Sequence, residues 1–475
     1  MAPCGPIDNT SKLVDEDIVL ILSRLPFNEA ARTSVLAHRW RHIWRRTRSV
    51  ELLERFFVKP GDSEEIKENK RKEFMEFVRQ WINDSDRESE IDKFSFSLSN
   101  PKPFQDDLYA ILSFPSSRNV KELSLDFSDP SWKQDDPEKT HKAICNIPGP
   151  VYRNHDLQSM KLYSCGFMDQ WFGNFGSLKE LSLGWIELES ASMKAVMEKC
   201  PLLLSLSLER CWNRGEGMEI RGRNLKLRKL RIENCGYEWW CFDSPNLKEF
   251  KYSGRLGILH FDNVRTPVEN VELDFGVEKE FQQVGDYLQM LLHELTSARV
   301  LTVCTYVLQV IPSGIQSLGI HGRSLEVKHL ILKIQLHSYE FWGIKFMLNS
   351  CPKLQTITFD LAPGSGTILS GYVPPFELRA NDFWIKNTTT HKCLTNRLKV
   401  VVFKGFKGSW NEILLLRYFL NFGQVLERLA LYSEDRLNED EKKTIMEKAK
   451  DIKNTIKASP LVQIILYIDG ISTNI

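Results

Sequence analysis

Residues 178–211 read LKELSLGWIELESASMKAVMEKCPLLLSLSLERC. One pattern frames the stretch twice: an apolar residue, two variable ones, an apolar one, a variable one and an apolar one. It falls first on Leu178, Leu181 and Leu183, then on Leu203, Leu206 and Leu208. The last apolar positions alternate with polar ones, the period-2 mark of a strand with one buried face. Between the copies runs a return segment ending at Cys200-Pro201, where the proline closes a helix and leads into the next strand. Such a unit cannot bury its apolar face alone and must stack on others like itself.

Further copies begin at Val120, Leu227, Val268, Val327, Leu354 and Leu426, and weaker ones at Ile91, Leu157, Leu247, Ala298, Leu398 and Leu461. Cys165, Cys211 and Cys235 lie eight residues after Leu157, Leu203 and Leu227. The pattern resembles the leucine-rich repeat, LxxLxLxxN/CxL. At the Asn/Cys place a small side chain with a weak donor reaches backbone carbonyls at the turn. Cys351, in SCPKLQTI, shares the helix-ending setting of Cys200. These cysteines therefore read as structural. The Gly- and Pro-rich LAPGSGTILSGYVPP between Leu354 and Leu398 reads as an inserted loop; as a candidate binding element it ranks behind a tolerated insertion.

The chain has 475 residues, 42% apolar and 26% charged, with net charge +1. That exceeds the ~250–300 residues at which one core stops growing, which a repeat architecture accommodates. The balanced charge supplies no global field for nucleic acid or an anionic membrane. No basic-then-apolar leader and no run of about 18–20 apolar residues is present, so a soluble, intracellular protein is expected, in cytoplasm or nucleus. The ten cysteines form no CxxC pair and no metal-ligand cluster. No GxSxG, HExxH, Walker or GxGxxG motif stands in a suitable context. His38 and His42, one turn apart, lack a third ligand. The expectation is no catalytic residue, no metal and no cofactor.

Residues 21–44 read ILSRLPFNEAARTSVLAHRWRHIW. A first helix is expected over about 15–24, with Val14, Ile18, Ile21, Leu22 and Leu25 as its stripe and Asp15, Glu16 and Asp17 at its N-terminus. Pro26 ends it, Asn28 caps a second, and a third begins near Ala37 and carries Trp40, Ile43 and Trp44. Three helices in some forty residues cannot bury all of this among themselves, and with no zinc pattern a partner protein is the remaining answer. The segment resembles an F-box, the module that docks a substrate receptor on the Skp-family adaptor of a cullin–RING ubiquitin ligase. The plant motif, roughly LPDDxLxxILSRLPxKEAxRTSVLSxRWRxLW, is matched by DIVLILSRLPFNEAARTSVLAHRWRHIW, with Leu13-Val14 where the family opens on Leu-Pro. The resemblance implies adaptor-facing roles for Leu13, Ile18, Ile21, Leu22, Leu25, Pro26, Val35, Leu36, Arg39 and Trp40. The competing reading, in which the five arginines between 39 and 48 hold phosphates while tryptophans stack on bases, is weakened because Trp40 and Trp44 share the apolar face. No nucleic acid and no membrane partner is expected.

GDSEEIKENKRKE at 61–73 leads into Phe74, Phe77, Val78 and Trp81, an amphipathic helix suited to capping the first repeat. Residues 391–432, HKCLTNRLKVVVFKGFKGSWNEILLLRYFLNFGQVLERLALY, resemble the FBD region that follows the repeats in many plant F-box proteins. There LKVVVF, LERLAL and LVQIILY read as strands. Ile413, Leu416, Tyr418, Phe419 and Leu420 mark a buried helix, and Ile445, Ala449, Ile452 and Ile456 the stripe of a lysine-rich last one. The expected α/β architecture is an F-box over 8–50 and a charged linker with capping helix over 51–90. Irregular leucine-rich repeats follow over 91–380, and an FBD-like region over 381–475 closes the solenoid.

The resemblance implies a non-catalytic substrate-recognition subunit of a Skp–cullin–F-box ligase that presents an unknown target. The alternative is a repeat-based protein-binding module, or a small-molecule, hormone-like receptor, acting without a ligase. For such a site the aromatic cluster Tyr237, Trp239, Trp240 and Phe242 is the candidate surface, against the plainer reading of packing between return segments.

Overall fold

The computed structural model describes residues 13–474 apart from 37, 86–89, 130, 133–144, 168–172, 174, 214–216, 223, 263–267, 277–283, 314–323, 362–367, 370–371, 373–381, 387 and 435–436. The chain divides into two compact units, 1–227 with 235–237 and 228–234 with 238–475.

In the first unit the helices α1 (Asp15–Leu22), α2 (Phe27–Arg32) and α3 (Trp40–Ile43) precede strand β1 (Ser49–Leu53). Then come α4 (Glu64–Asp84), β2 (Lys93–Ser97), α5 (Gln105–Ser113), β3 (Glu122–Asp126), β4 (Ser159–Tyr163), β5 (Glu180–Gly184), α6 (Ser190–Lys199), β6 (Ser205–Glu209) and β7 (Met218–Arg221). Strands β1 to β6 pair in chain order, every pair parallel. Burial alternates along them, so the repeat leucines form one inner face and the variable positions an open one.

The steps from β4, β5 and β6 into their return segments turn on a residue in the left-handed region: Ser164, Trp185 and Arg210, with φ of 52°, 53° and 51°, directly after those strands. That conformation is costly for a residue with a Cβ. It is held because the amide still pairs with the next strand, Ser164 N donating to Gly184 O (2.8 Å) and Trp185 N to Glu209 O (2.9 Å). One residue on stands the cysteine ladder. Cys211 Sγ donates to Leu183 O (3.5 Å) and Cys235 Sγ to Leu208 O (3.6 Å), the contact expected at the Asn/Cys position.

The stretch read as a charged lead-in is the first half of α4, capped by Ser63. Arg71, buried there, pairs with buried Glu54 (3.0 Å) and Ser99 (2.9 Å). Phe74, Met75, Val78 and Trp81 form its inner face.

The second unit contains β8 (Lys229–Glu233), β9 (Trp239–Asp243), β10 (Glu249–Gly254), β11 (Ile258–Phe261), β12 (Asn270–Phe275), α7 (Val284–Glu294), β13 (Val300–Cys304), α8 (Thr305–Val310), β14 (His329–Lys333), α9 (Phe341–Ser350) and β15 (Thr356–Asp360). It continues through α10 (Phe383–Lys386), α11 (Lys392–Asn396), β16 (Val400–Phe406), α12 (Trp410–Phe422), β17 (Arg428–Ser433), α13 (Glu439–Lys453), β18 (Gln463–Ile468) and β19 (Ile471–Asn474). Its main sheet runs β8, β10, β12 and then β13 to β18 in parallel, and β19 folds back antiparallel. β9 and β11 pair as a second layer. The long gap after Leu354 is a single step of the solenoid, since β15 pairs directly with β16. Of the inserted loop, buried Leu369 and Tyr372 anchor on Gln309 and the Leu361 amide donates to Lys404 O (2.9 Å), while residues 362–367, 370–371 and 373–375 lie outside the described residues.

The FBD-like region carries the same sheet onward. Its GFKGS turn has Gly405 and Gly408 at φ 77° and 72°, and Glu412 accepts the Gly408 amide (2.8 Å) while capping α12. One expectation there is corrected. α13 ends at Lys453, so Ile456 falls beyond it and is exposed, while Ile445, Ala449 and Ile452 are buried.

Candidate functional site

The first three helices sort their apolar residues by facing. Ile18, Leu22, Phe27, Ala30, Ile43 and Trp44 point inward. Phe27 meets Trp44 edge-on at 5.5 Å and Trp81 of α4 at 5.9 Å, and Trp81 meets Phe114 at 5.8 Å. The small helical module thus gains its core by packing on the capping helix and the first repeat. Its other side remains apolar and uncovered. Val35 is 85% and Leu36 70% exposed, Val14 and Leu20 more than half, with Ile21, Leu25 and Pro26 beside them in sequence and also exposed.

This splits the ten positions expected to face an adaptor. Ile21, Leu25, Pro26, Val35, Leu36 and Arg39 are exposed, Leu13 and Trp40 half-buried. Ile18 and Leu22, expected among the same set, have zero exposure, one turn apart on the inner side of α1, and pack in the core of the free chain. Leu20 lies off the expected stripe and is exposed; an apolar residue opposite a helix's buried face is the sequence signal that marks it. The expected start of the third helix, Ala37, lies outside the described residues, and α3 begins at Trp40.

Arg39 fixes the module's geometry, its Nε donating to Asp15 Oδ1 at 2.8 Å across the start of α1. Arg45 pairs with Asp84 (3.1 Å) and Arg48 with Glu90 (3.1 Å). Much of the basic run is therefore spent on the fold's own acids, and Trp44 is inside rather than offered to a base.

The aromatic cluster is likewise corrected. Tyr237, Trp240 and Phe242 are buried, and only Trp239 reaches the surface. The Tyr237 hydroxyl donates to Leu188 O (2.7 Å), and Phe242 packs on Phe261 (4.7 Å) and Phe250 (5.3 Å), because the return segment is itself strand β9, paired with β11 and facing Phe250 of β10. The nine described cysteines are buried free thiols. Burial pushes Cys145, Cys200 and Cys393 up to about 12, far from the thiolate a nucleophile or metal ligand needs. Among the described residues no three His, Cys, Asp or Glu side chains gather as a metal would require, and no helix is long and apolar enough to cross a membrane.

Three family profiles match the chain: F-box domain over residues 11–51, the LRR repeats of FBD-associated F-box protein At5g56370 over 108–271, and FBD over 387–431. Among similar Arabidopsis thaliana proteins, F-box/LRR-repeat protein At1g56400 is 34% identical, the match covering 92% of each chain. F-box/LRR-repeat protein At5g54820 is 32% identical over 95% of this chain and 96% of its own length. F-box protein At3g62230 is 32% identical over 90% of this chain and 91% of its own. With its partly buried helical module, its ladder of parallel repeat strands and its capped C-terminal turn in the matching places, the chain belongs to the plant F-box/FBD/leucine-rich-repeat proteins.

Proposed function

We propose that the protein is the target-recognition subunit of a Skp–cullin–F-box ubiquitin ligase, working in cytoplasm or nucleus. The observation that carries the reading is the uncovered apolar face of Ile21, Leu25, Pro26, Val35 and Leu36, on helices whose remaining apolar residues are already spent on the core. Large exposed apolar residues gathered on so small a module mark a partner site. The mechanism is proximity: the adaptor tethers the chain, the repeats hold a target, and a target lysine is kept at high effective concentration near the charged ubiquitin carrier. The chain itself needs no catalytic group. The test is co-expression with a Skp-family adaptor, intact against Leu25→Ala/Pro26→Ala. Stable co-purification lost in the variant supports the reading; a well-folded intact chain that binds no adaptor refutes it.

A second reading, a small-molecule receptor, draws on a cavity of about 820 Å³ in the first unit, lined by Arg55, Lys59, Ser97, Asp126, Ser128 and Lys161 among others. Its volume suits a small polar ligand.

A further inference from the structure

On the open face of the second unit's sheet the middle residue of each strand changes character along the stack. On β8, β10 and β12 the register partners are Arg231, Lys251 and Glu272. From β13 onward they are Thr302, Ile331, Thr358, Val402, Ala430 and Ile465, side by side on six successive strands. Their sequence neighbours Leu301, Leu330, Ile357, Val401, Leu429 and Ile464 fill the inner face, so strand alternation puts these six on the opposite one, where Thr302, Thr358 and Ala430 are buried among their neighbours and Ile331, Val402 and Ile465 are half-buried. A sheet face turned to water is normally polar. The first unit obeys that rule, with Ser95, Ser124, Lys161, Ser182 and Ser207 in the corresponding row. The lane departs from it at four of its six places, Ile331, Val402, Ala430 and Ile465, which span about 19 Å from β14 to β18 at ~4.8 Å per strand, the reach of roughly six extended residues.

Cations stand on both flanks of the lane. On one side Lys333, Asp360 and Lys404 follow in register, then the stacked rings of Tyr432 and Tyr467 at 4.3 Å. Lys333 is held by Glu272 at 2.7 Å. Among the described residues no carboxylate pairs with exposed Lys404, nor with exposed Arg428 on the other flank, whose guanidinium donates instead to the Tyr467 hydroxyl. An apolar strip between two uncompensated cations complements an apolar segment that carries acids.

We infer that this lane is where the target docks, and that the segment it takes is a linear peptide with aliphatic side chains for the Ile331–Val402–Ile465 strip and a carboxylate for Lys404 or Arg428. The inference rests on the receptor reading above and names the chemistry of its target.

The test pans the full chain, co-expressed with a Skp-family adaptor, against phage-displayed random 16-residue peptides. An enriched peptide is then made synthetically and titrated against intact protein, Val402→Glu, Lys404→Glu and the first-unit control Ser182→Glu. The expected result is a motif combining aliphatic and acidic residues, bound about tenfold or more weaker by each lane variant and equally by the control. Because Lys404 is exposed, its variant keeps the test decisive should Val402→Glu disturb folding. No enrichment, a motif without acids, or binding indifferent to Lys404→Glu overturns the inference. Adaptor co-purification, read on the same preparations, separates the two proposals. Adaptor bound with an indifferent peptide sinks the lane alone; peptide bound without adaptor sinks the ligase reading and leaves the lane.

Discussion

Replacing Val35 and Leu36 together by alanine should leave the fold intact and strip the adaptor. In the free chain the two side chains are 85% and 70% exposed, so their apolar area has almost nothing to lose on truncation. A partner that covers them gains about 0.8 kcal/mol per buried CH₂. Truncation removes two such groups from valine and three from leucine. Scaled by exposure, the double variant should lose roughly 3 kcal/mol of binding, about two orders of magnitude in Kd. The comparison pair is Ile18→Ala and Leu22→Ala, from the same motif but with zero exposure. Each leaves a cavity and should cost about 2–5 kcal/mol of stability. Titration calorimetry with the adaptor and thermal melting of both variants separate the cases. The reasoning fails if Val35→Ala/Leu36→Ala melts as early as the core variant, or if it binds the adaptor as tightly as the intact chain.

Gly184 carries no Cβ because one would stand 2.2 Å from the ring of Tyr163, whose hydroxyl donates to Glu209 at 3.0 Å across the intervening strand. Gly184→Ala should therefore cost about 1–3 kcal/mol in urea unfolding, and much less when combined with Tyr163→Ala; simple additivity would contradict the contact. Val14 already has φ −76° at the N-cap of α1, within the range proline imposes, so Val14→Pro should raise stability by about 0.4–1 kcal/mol in the same assay, and a loss would show the backbone there to be otherwise constrained. Burial pushes the Glu340 carboxyl from 4.5 up to about 7, so the folded chain holds a proton that the unfolded chain has released. The associated stability is whole below pH 4.5 and is lost as pH rises through 7, on the order of 3 kcal/mol in all. Denaturant midpoints of Glu340→Gln should fall less between about pH 5 and 8 than those of the intact chain; parallel slopes would place the titration elsewhere.

Every repeat anchor read from the sequence, including poor ones such as Ala298, stands at the head of a strand. The reason is that one-sided burial forces a period of two onto a short segment, and little else produces it. Strands without a leading anchor escape that signal for different reasons. β1 (SVELL) follows directly on helical signals and has no leading anchor, while β9 (WWCFD) is apolar nearly throughout because it is sandwiched, so its pattern carries no period. The same sandwiching turned Trp240 and Phe242 from a candidate surface into core. In the F-box the motif named which residues matter but not which way they point, since Ile18 and Ile21 are equally apolar and only the packing of α1 on its neighbours tells them apart.

The proposed target surface was illegible for a related reason. A repeat is recognised by its anchors, and reading anchors means discarding the variable positions between them. Those are the positions that face solvent, so whatever distinguishes one receptor's target from another's must be written there. In LKELSL and LLSLSL the intervening residue is serine, as an uncovered sheet requires; in VKHLIL, LKVVVF and LERLAL it is isoleucine, valine and alanine. One such residue means nothing, because isolated apolar residues are common on any surface. Only the register, which sets Ile331 beside Thr358, Val402 and Ala430, turns scattered substitutions into one continuous lane. Solubility would favour serine there as it does in the first unit, so half-buried aliphatic residues at Ile331, Val402 and Ile465 on alternate strands are what a partner would cover.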